Sequence, residues 1–432
     1  MIRSLTAAIL LAASPAALFA QEEDAPAAFA PFETSVALRT EARRALEAGD
    51  YEAARRAMQA ASGLQPGSPA ILLGMAQIAL TSGDDELLLS SLEATAAAGI
   101  YFDLSRLGEN DARLRETFPD RYAEMDALFA RHSGPAGEAE RVLRVDVPDS
   151  LIEGVAVEIE TDRIFLSDVV GRQILVVEPF DRSSADVFAD AEDGLQSVFG
   201  IVSDDVNRVI WAATGALPQT PLEEGETANT ALIAFDMITG DVYRRYEYEG
   251  AERIADIVTR DGIVYAVDSG ANRIYQLNSI SGQLRLLSDD PRFASLQGAA
   301  LADGALFVSD YGLGLWRVDL ADGTALQVRP GDESLIGIDG LSATRDGRLI
   351  AVRNGMAPNA VFAIDLAEDG VSVAGTEILL RNHADFGEPT LVDVQDDRIF
   401  LVANAPWALW PNDGGGPTEA VPPLVVLEYD LD

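Results

Sequence analysis

Two hydrophobic rhythms divide this chain. From about Ser35 to residue 131 the apolar positions return at helical spacing, as one buried face of a helix array requires. A polar Gly/Pro stretch, "HSGPAGEAE" at 132–140, interrupts that rhythm. From residue 141 to 432 short β-rich runs, such as Ile164-Phe165-Leu166, alternate with Gly, Asp and Asn turns. Ahead of both lie an apolar leader, 1–20, and a lead-in, 21–34, rich in Ala, Pro and acid and suited to flexibility.

Within the β-rich region a single motif returns six times. It begins at Glu153 ("EGVAVEIETDRIFLSD"), Phe199 ("FGIVSDDVNRVIWAATG"), Ile254 ("IADIVTRDGIVYAVDSG"), Gln297 ("QGAALADGALFVSDYG"), Asp339 ("DGLSATRDGRLIAVRNG") and Pro389 ("PTLVDVQDDRIFLVAN"). Successive starts lie 46, 55, 43, 42 and 50 residues apart. A four-stranded blade takes about 40–45 residues, more where loops grow. Each copy supplies a small-residue-rich strand, a tight turn, a strongly apolar strand and a third strand after another turn. One blade buries a face only against a neighbour, so six must close into a ring. The last copy ends at "LVVLEYDLD" without an outer strand, and residues 141–147 are expected to supply it. The fold class predicted is mainly β: a six-bladed β-propeller with a smaller N-terminal all-α helical-repeat domain.

The helical region has a period of its own. In "EAGDYEAARRAMQAASGLQP", Gly49, Asp50 and Tyr51 fit a turn, Ala54 and Ala61 fit close helix contacts, and Pro66 closes the unit. Gly83 follows Gly49 by 34 residues, the period of the tetratricopeptide repeats that this segment resembles. The second copy has Leu88 where a small residue is usual. That resemblance implies a surface for a protein partner or for the neighbouring domain.

Composition narrows the chemistry. All 31 basic residues are Arg, Cys is absent, and His132 and His383 are the two histidines. Schiff-base lysines, thiolate nucleophiles, covalent haem, iron–sulfur clusters and multi-histidine metal sites are thereby excluded. No phosphate loop, dinucleotide fingerprint or nucleophile elbow occurs, so no nucleotide cofactor is expected. The net charge of −40 argues against nucleic acid and anionic membranes as partners. "MIRSLTAAILLAASPAALFA" reads as a secretory signal cut after Ala20, too short and too broken by Pro15 for a membrane span. A periplasmic or secreted location follows as the expectation.

The motifs "IEGVAVE", "VDSGANRIYQL" and "IDGLSATRDGRLIAV" resemble the senescence-marker protein/gluconolactonase/strictosidine-synthase-like propellers and their NHL-repeat relatives. That resemblance implies that blades one, four and five offer a metal-holding group at the channel mouth. Carried over, these are Glu153, Gln297 and Asp339, hard oxygen donors suited to one divalent cation, Ca²⁺, Mg²⁺ or Mn²⁺. Gln297 stands where the family has Asn. In the family the cation polarises a lactone carbonyl and helps generate hydroxide. Asp339 and His383 become candidate catalytic groups, His383 as a base. Asp310, Asn354, Trp407 and Trp410 are candidate ligand contacts, the two tryptophans on the long loop 403–423. Asp168, Asp268, Asp310, Asn354 and Asn404 fit better as turn formers that bond their own backbone than as ligands. Three readings of function follow. The first is a ligand- or protein-binding module, its ligand a small lactone or sugar-like molecule, with the helical repeats recruiting a protein partner. The others are a divalent-metal-dependent lactonase and a scaffold with no small ligand, its mouth plugged by Phe199, Trp407 and Trp410.

Overall fold

The computed structural model describes residues 30–248, 250–412 and 414–431. The proposed signal segment lies outside them. Six helices come first: α1 (Pro31–Glu47), α2 (Tyr51–Leu64), α3 (Pro69–Ser82), α4 (Asp85–Ala97), α5 (Glu109–Thr117) and α6 (Pro119–Ser133). Asp50 caps α2 by accepting from the Ala53 N–H at 3.0 Å, and Asp84 caps α4 through Leu87 N–H at the same distance. Ala54 and Ala61 are fully buried, so the helices approach closely there. Helix α1 starts earlier than the sequence suggested. Pro31 suits a first helical turn, and Phe32 packs into an apolar cluster of the β-rich domain, which fixes the helix start.

The remaining residues form six four-stranded antiparallel sheets. Their innermost strands are Ile152–Val157, Ser197–Asp204, Ile254–Arg260, Leu296–Ala302, Ile338–Ala343 and Val392–Gln395, numbered here as blades 1 to 6. In blade 6 the outermost strand is Glu140–Val145, paired antiparallel with Leu424–Asp430. The first and last strands of the propeller thus share one sheet and close the ring. Six apolar clusters fill the gaps between neighbouring blades, the one across the closure joining Leu143, Ile152 and Leu166 to Phe400 and Val426. Each buried face is covered by the next blade, which is why no blade could stand alone.

The ring is tight at its axis. A Cβ on Gly154 would lie 2.9 Å from the Phe199 carbonyl oxygen, and one on Gly298 would lie 2.5 Å from that of Asp339. Gly200 and Gly340 meet the next blade in the same way. Blade 3 departs from this pattern, with Asp256 where those blades have glycine.

The helical array rests on mouth-side loops of blades 4 and 5. Gln65 donates to the Gly312 carbonyl (2.6 Å), Ser334 Oγ to the Gly67 carbonyl (2.9 Å) and Ser334 N–H to the Ala98 carbonyl (3.0 Å). Buried Arg353 fixes the receiving loop by donating to Glu333 and to the Ser334 carbonyl, both at 3.0 Å. No helix of the described residues is long and apolar enough to cross a membrane.

Candidate functional site at the channel mouth

Strand register decides which side chains ring the mouth. Ile152 pairs with Asp168, Ile254 with Asp268, Leu296 with Asp310 and Ile338 with Arg353. The residue after each first partner, ahead of a bulge, points to the axis. The equivalent set is therefore Glu153, Phe199, Ala255, Gln297, Asp339 and Thr390. In blades 3 and 6 this corrects Ile254 and Pro389 by one residue, because Asp256 and Leu391 stand where the other blades have the glycine that marks the position. Glu153, Gln297 and Asp339 do occupy one position in blades 1, 4 and 5.

The carboxylates gather more closely than the amide. The Asn354 amide donates to Asp339 Oδ2 at 2.7 Å and to the Pro389 carbonyl at 2.9 Å, while its own oxygen accepts from the Tyr311 hydroxyl at 2.9 Å. The Trp407 indole N–H donates to Glu153 Oε2. Gln297 makes a long contact, 3.3 Å, with the Ser295 hydroxyl. Glu388, just ahead of the sixth inner strand, faces Glu153 and Asp339 electrostatically. Arg253 supplies the nearby positive charge; its Nε donates to Ser269 Oγ at 2.7 Å, and the guanidinium feels Glu153, Asp268 and Asp339.

Burial sets the electrostatics. It lifts the Glu153 carboxyl well above its usual range, with the Asp339 charge adding and the Trp407 N–H opposing. Asp339 is pushed up to about 6 by burial, held back by the Asn354 amide and Arg253. Glu388 reaches about 7 through burial and the Asp339 charge. Near neutral pH this group holds protons as well as charge.

Other predicted residues do different work. Asp310 is fully buried and accepts from the backbone N–H groups of Ala294 (2.8 Å), Gly312 (3.1 Å) and Leu313 (3.2 Å) and from the Trp316 indole (3.3 Å). Asp268 takes four backbone N–H groups, those of Glu252, Arg253, Gly270 and Ala271. Asp168 takes Leu151 and Gly171 N–H and the Gln173 amide. These carboxylates tie each second strand to the turn beside it. Asn404 likewise pins the long loop, accepting from Val425 N–H and donating to the Pro423 carbonyl. Trp410 is buried against Leu151, Val169, Val170 and Phe199, so it anchors the loop while Trp407 reaches the mouth. His383 lies apart from the carboxylates. It packs on Phe386 and accepts from Asp385 N–H at 3.3 Å, and Asp385 is paired with Arg141 of the closing strand. The connection from the outer strand of blade 5 crosses the whole face to blade 6, and His383 sits near its outer end, Glu388 near its inner end. Glu388 and Tyr311 escaped the sequence reading because neither stands on a repeated strand position.

Residues 45–86 match the tetratricopeptide repeat family model. None of the curated proteins matches the chain. Among solved structures, a gluconolactonase from Xanthomonas campestris is 16% identical with a TM-score of 0.46, covering 70% of this chain and 92% of that one. The calcium-binding protein regucalcin from Agrobacterium tumefaciens is 17% identical with a TM-score of 0.45, covering 68% and 96%. The PQQ-bound aldose sugar dehydrogenase of Streptomyces coelicolor is 14% identical with a TM-score of 0.46, covering 68% and 98%. Those activities belong to those proteins.

A divalent cation fits this mouth poorly. Its donors would be Glu153, Asp339 and Gln297, all of suitable oxygen chemistry. Yet the two carboxylates already accept from Trp407 and Asn354, and Arg253 brings a positive charge beside them. Among the described residues no three His, Asp or Glu side chains are grouped as a metal cage. At the far end of the channel lies a separate cavity of about 200 Å³.

Proposed function

We propose that this chain is an exported binding module whose propeller mouth takes a small, hydroxyl-rich neutral ligand such as a sugar or a lactone, and whose helical repeats recruit a protein partner. One observation carries the reading: the charges of Glu153, Asp339, Glu388 and Arg253 act on one another at the mouth, and Trp407 donates to Glu153. Carboxyls lifted toward neutrality can both donate to and accept from ligand hydroxyls, and the Arg253 guanidinium offers donors to a carbonyl oxygen. The indole face of Trp407 would stack on a flat or ring-shaped ligand. The helical array, docked beside the mouth on blades 4 and 5, would bring its partner next to whatever the mouth holds.

The test is calorimetry of the mature protein against neutral sugars and small lactones. Saturable binding that Asp339→Asn and Glu153→Gln each weaken at least tenfold is the expected result. Binding left intact in both variants would move the ligand elsewhere.

A second reading, a metal-dependent lactonase, is favoured by the shared register position of Glu153, Gln297 and Asp339. A cation there would polarise a lactone carbonyl and acidify water. It requires Trp407 and Asn354 to release their carboxylates. Lactone hydrolysis that a chelator abolishes and Ca²⁺, Mg²⁺ or Mn²⁺ restores would establish it.

A further inference from the structure

The face opposite the mouth is built in two unlike halves. In an antiparallel blade, the turn after the first strand and the turn after the third share that face. In blades 4 and 5 these turns are short acidic ones, Asp303-Gly304, Asp322-Gly323, Asp346-Gly347 and Asp369-Gly370. In blades 1 to 3 four of the six corresponding turns carry a bulky apolar residue held in water, Phe180 (85% exposed), Val206 (93%), Ile238 (60%) and Ile280 (87%), whereas the first-strand turns of blades 1 and 3 keep the polar Glu160-Thr161-Asp162 and Asp261-Gly262. Nothing in the described chain covers them. Four such tips on adjacent blades form an arc, and large apolar side chains concentrated on one sector of a face mark an interaction site.

Beside that arc opens the cavity of about 200 Å³ at the end of the channel. Asp256 and Asp393 line it, with Ser203, Thr259, Ser342 and Gln395. Asp256 occupies the position where Gly154, Gly200, Gly298 and Gly340 let neighbouring strands touch, so its side chain is where the ring admits one. It accepts from Ala299 N–H at 2.9 Å and Ile257 N–H at 2.8 Å. Asp393 accepts from Val157 N–H at 2.8 Å and from the Gln395 amide. Both Asp256 oxygens and Asp393 Oδ1 keep a lone pair beyond those bonds, while Asp393 Oδ2 is taken by Val157 and Gln395. Arg260, on the same wall, is turned to the Leu301 carbonyl at 2.7 Å. Acidic residues also stand beside the tips: Asp181 next to Phe180, Asp205 next to Val206, Asp236 near Ile238.

We propose that this face docks a polypeptide segment that places a lysine or arginine side chain in the cavity between Asp256 and Asp393 and lays flanking apolar residues on Phe180, Val206 and Ile280. Burial pushes Asp256 up to about 7 and Asp393 up to about 6, and an inserted cation would restore their charge. Charge complementarity therefore selects a basic segment, and the exposed tips select one with apolar neighbours. The cavity gives specificity and the arc gives area, the usual division between a buried anchor and its surroundings. An anionic membrane is a poor alternative occupant for a chain of net charge −40. Docking here needs nothing from the mouth.

The experiment is fluorescence anisotropy with three labelled peptides of equal length: basic with apolar flanks, basic with serine flanks, and glutamate-containing with apolar flanks. The first should bind, and the other two should bind at least tenfold more weakly. Asp256→Asn/Asp393→Asn and, separately, Phe180→Ser/Ile280→Ser should each weaken binding about tenfold, whereas Asp322→Asn/Asp369→Asn in blades 4 and 5 should leave it unchanged. The exposed Phe180/Ile280 pair keeps the test sound if the buried pair fails to fold. Equal binding of both basic peptides, or equal loss in the Asp322/Asp369 variant, would reduce the effect to diffuse attraction by an acidic surface and overturn the proposal. So would binding to phosphatidylcholine vesicles with no peptide bound.

Discussion

Two sets of buried carboxylates lie within the mouth half of the propeller, and they differ in how their oxygens are occupied. Asp168, Asp268 and Asp310, at the strand ends, each accept three or four N–H groups, most of them backbone. Glu153 and Asp339, one register step away and facing the axis, take one side-chain donor each, Trp407 and Asn354. Burial lifts Asp168 and Asp310 as well as the axial acids, so a raised pKa does not separate the sets. Hydrogen-bond satisfaction does. A carboxylate saturated by its own turn is part of the frame, and one with spare lone pairs can serve a ligand.

Substitutions should expose the contrast, and the largest effect belongs to the frame. Asp310→Ala leaves the N–H groups of Ala294, Gly312, Leu313 and Trp316 without their acceptor in a dry site. A loss of about 3–5 kcal/mol in urea unfolding is expected. A loss under about 1 kcal/mol would mean that these turns hold without their carboxylate. Gly298→Ala comes next. Its new methyl group would meet the Asp339 carbonyl oxygen at 2.5 Å and the Leu341 nitrogen at 2.6 Å, backbone on both sides. Destabilisation of about 2–3 kcal/mol should appear in thermal melts.

At the axis the effects turn on protons. Glu388 has a folded pKa of about 7 against an ordinary 4.5, so the native state holds its proton more tightly. The stability this contributes is complete below the unfolded value and is lost as pH rises through about 7. Glu388→Gln should therefore match the parent protein near pH 4 and exceed it by roughly 1–2 kcal/mol at pH 8, a gain moderated by solvent reaching the group. Parallel pH–stability curves would show that Glu388 is charged in the native state throughout. Asp339→Asn should move stability least, within about 1 kcal/mol, while removing the calorimetric signal of the mouth ligand.

The fold was readable because a propeller writes itself as a period. Six inner strands rich in small residues and turns rich in Asp, Gly and Asn repeat at blade length, and the unpaired final strand calls for the segment near residue 141. The axial position was readable in blades 1, 4 and 5, where a polar residue precedes glycine. In blade 3 Asp256 replaces that glycine and in blade 6 Leu391 does, so the pattern lost its marker and Ala255 and Thr390 were displaced by one. Arg353 shows a third limit: it holds the strand-end position that Asp fills in blades 1, 3 and 4, leaving Asn354 to face the axis. Loop residues such as Glu388, Tyr311 and His383 depend on the path of a connection across the face, which no local pattern records.

The short connection from α6 leads straight into Glu140–Val145, the strand that completes blade 6. Any pull on the helical array that overcame its contacts with blades 4 and 5 would be borne next by that strand, in line with the chain. Mechanical load would then unzip the ring at its seam before disturbing any other blade.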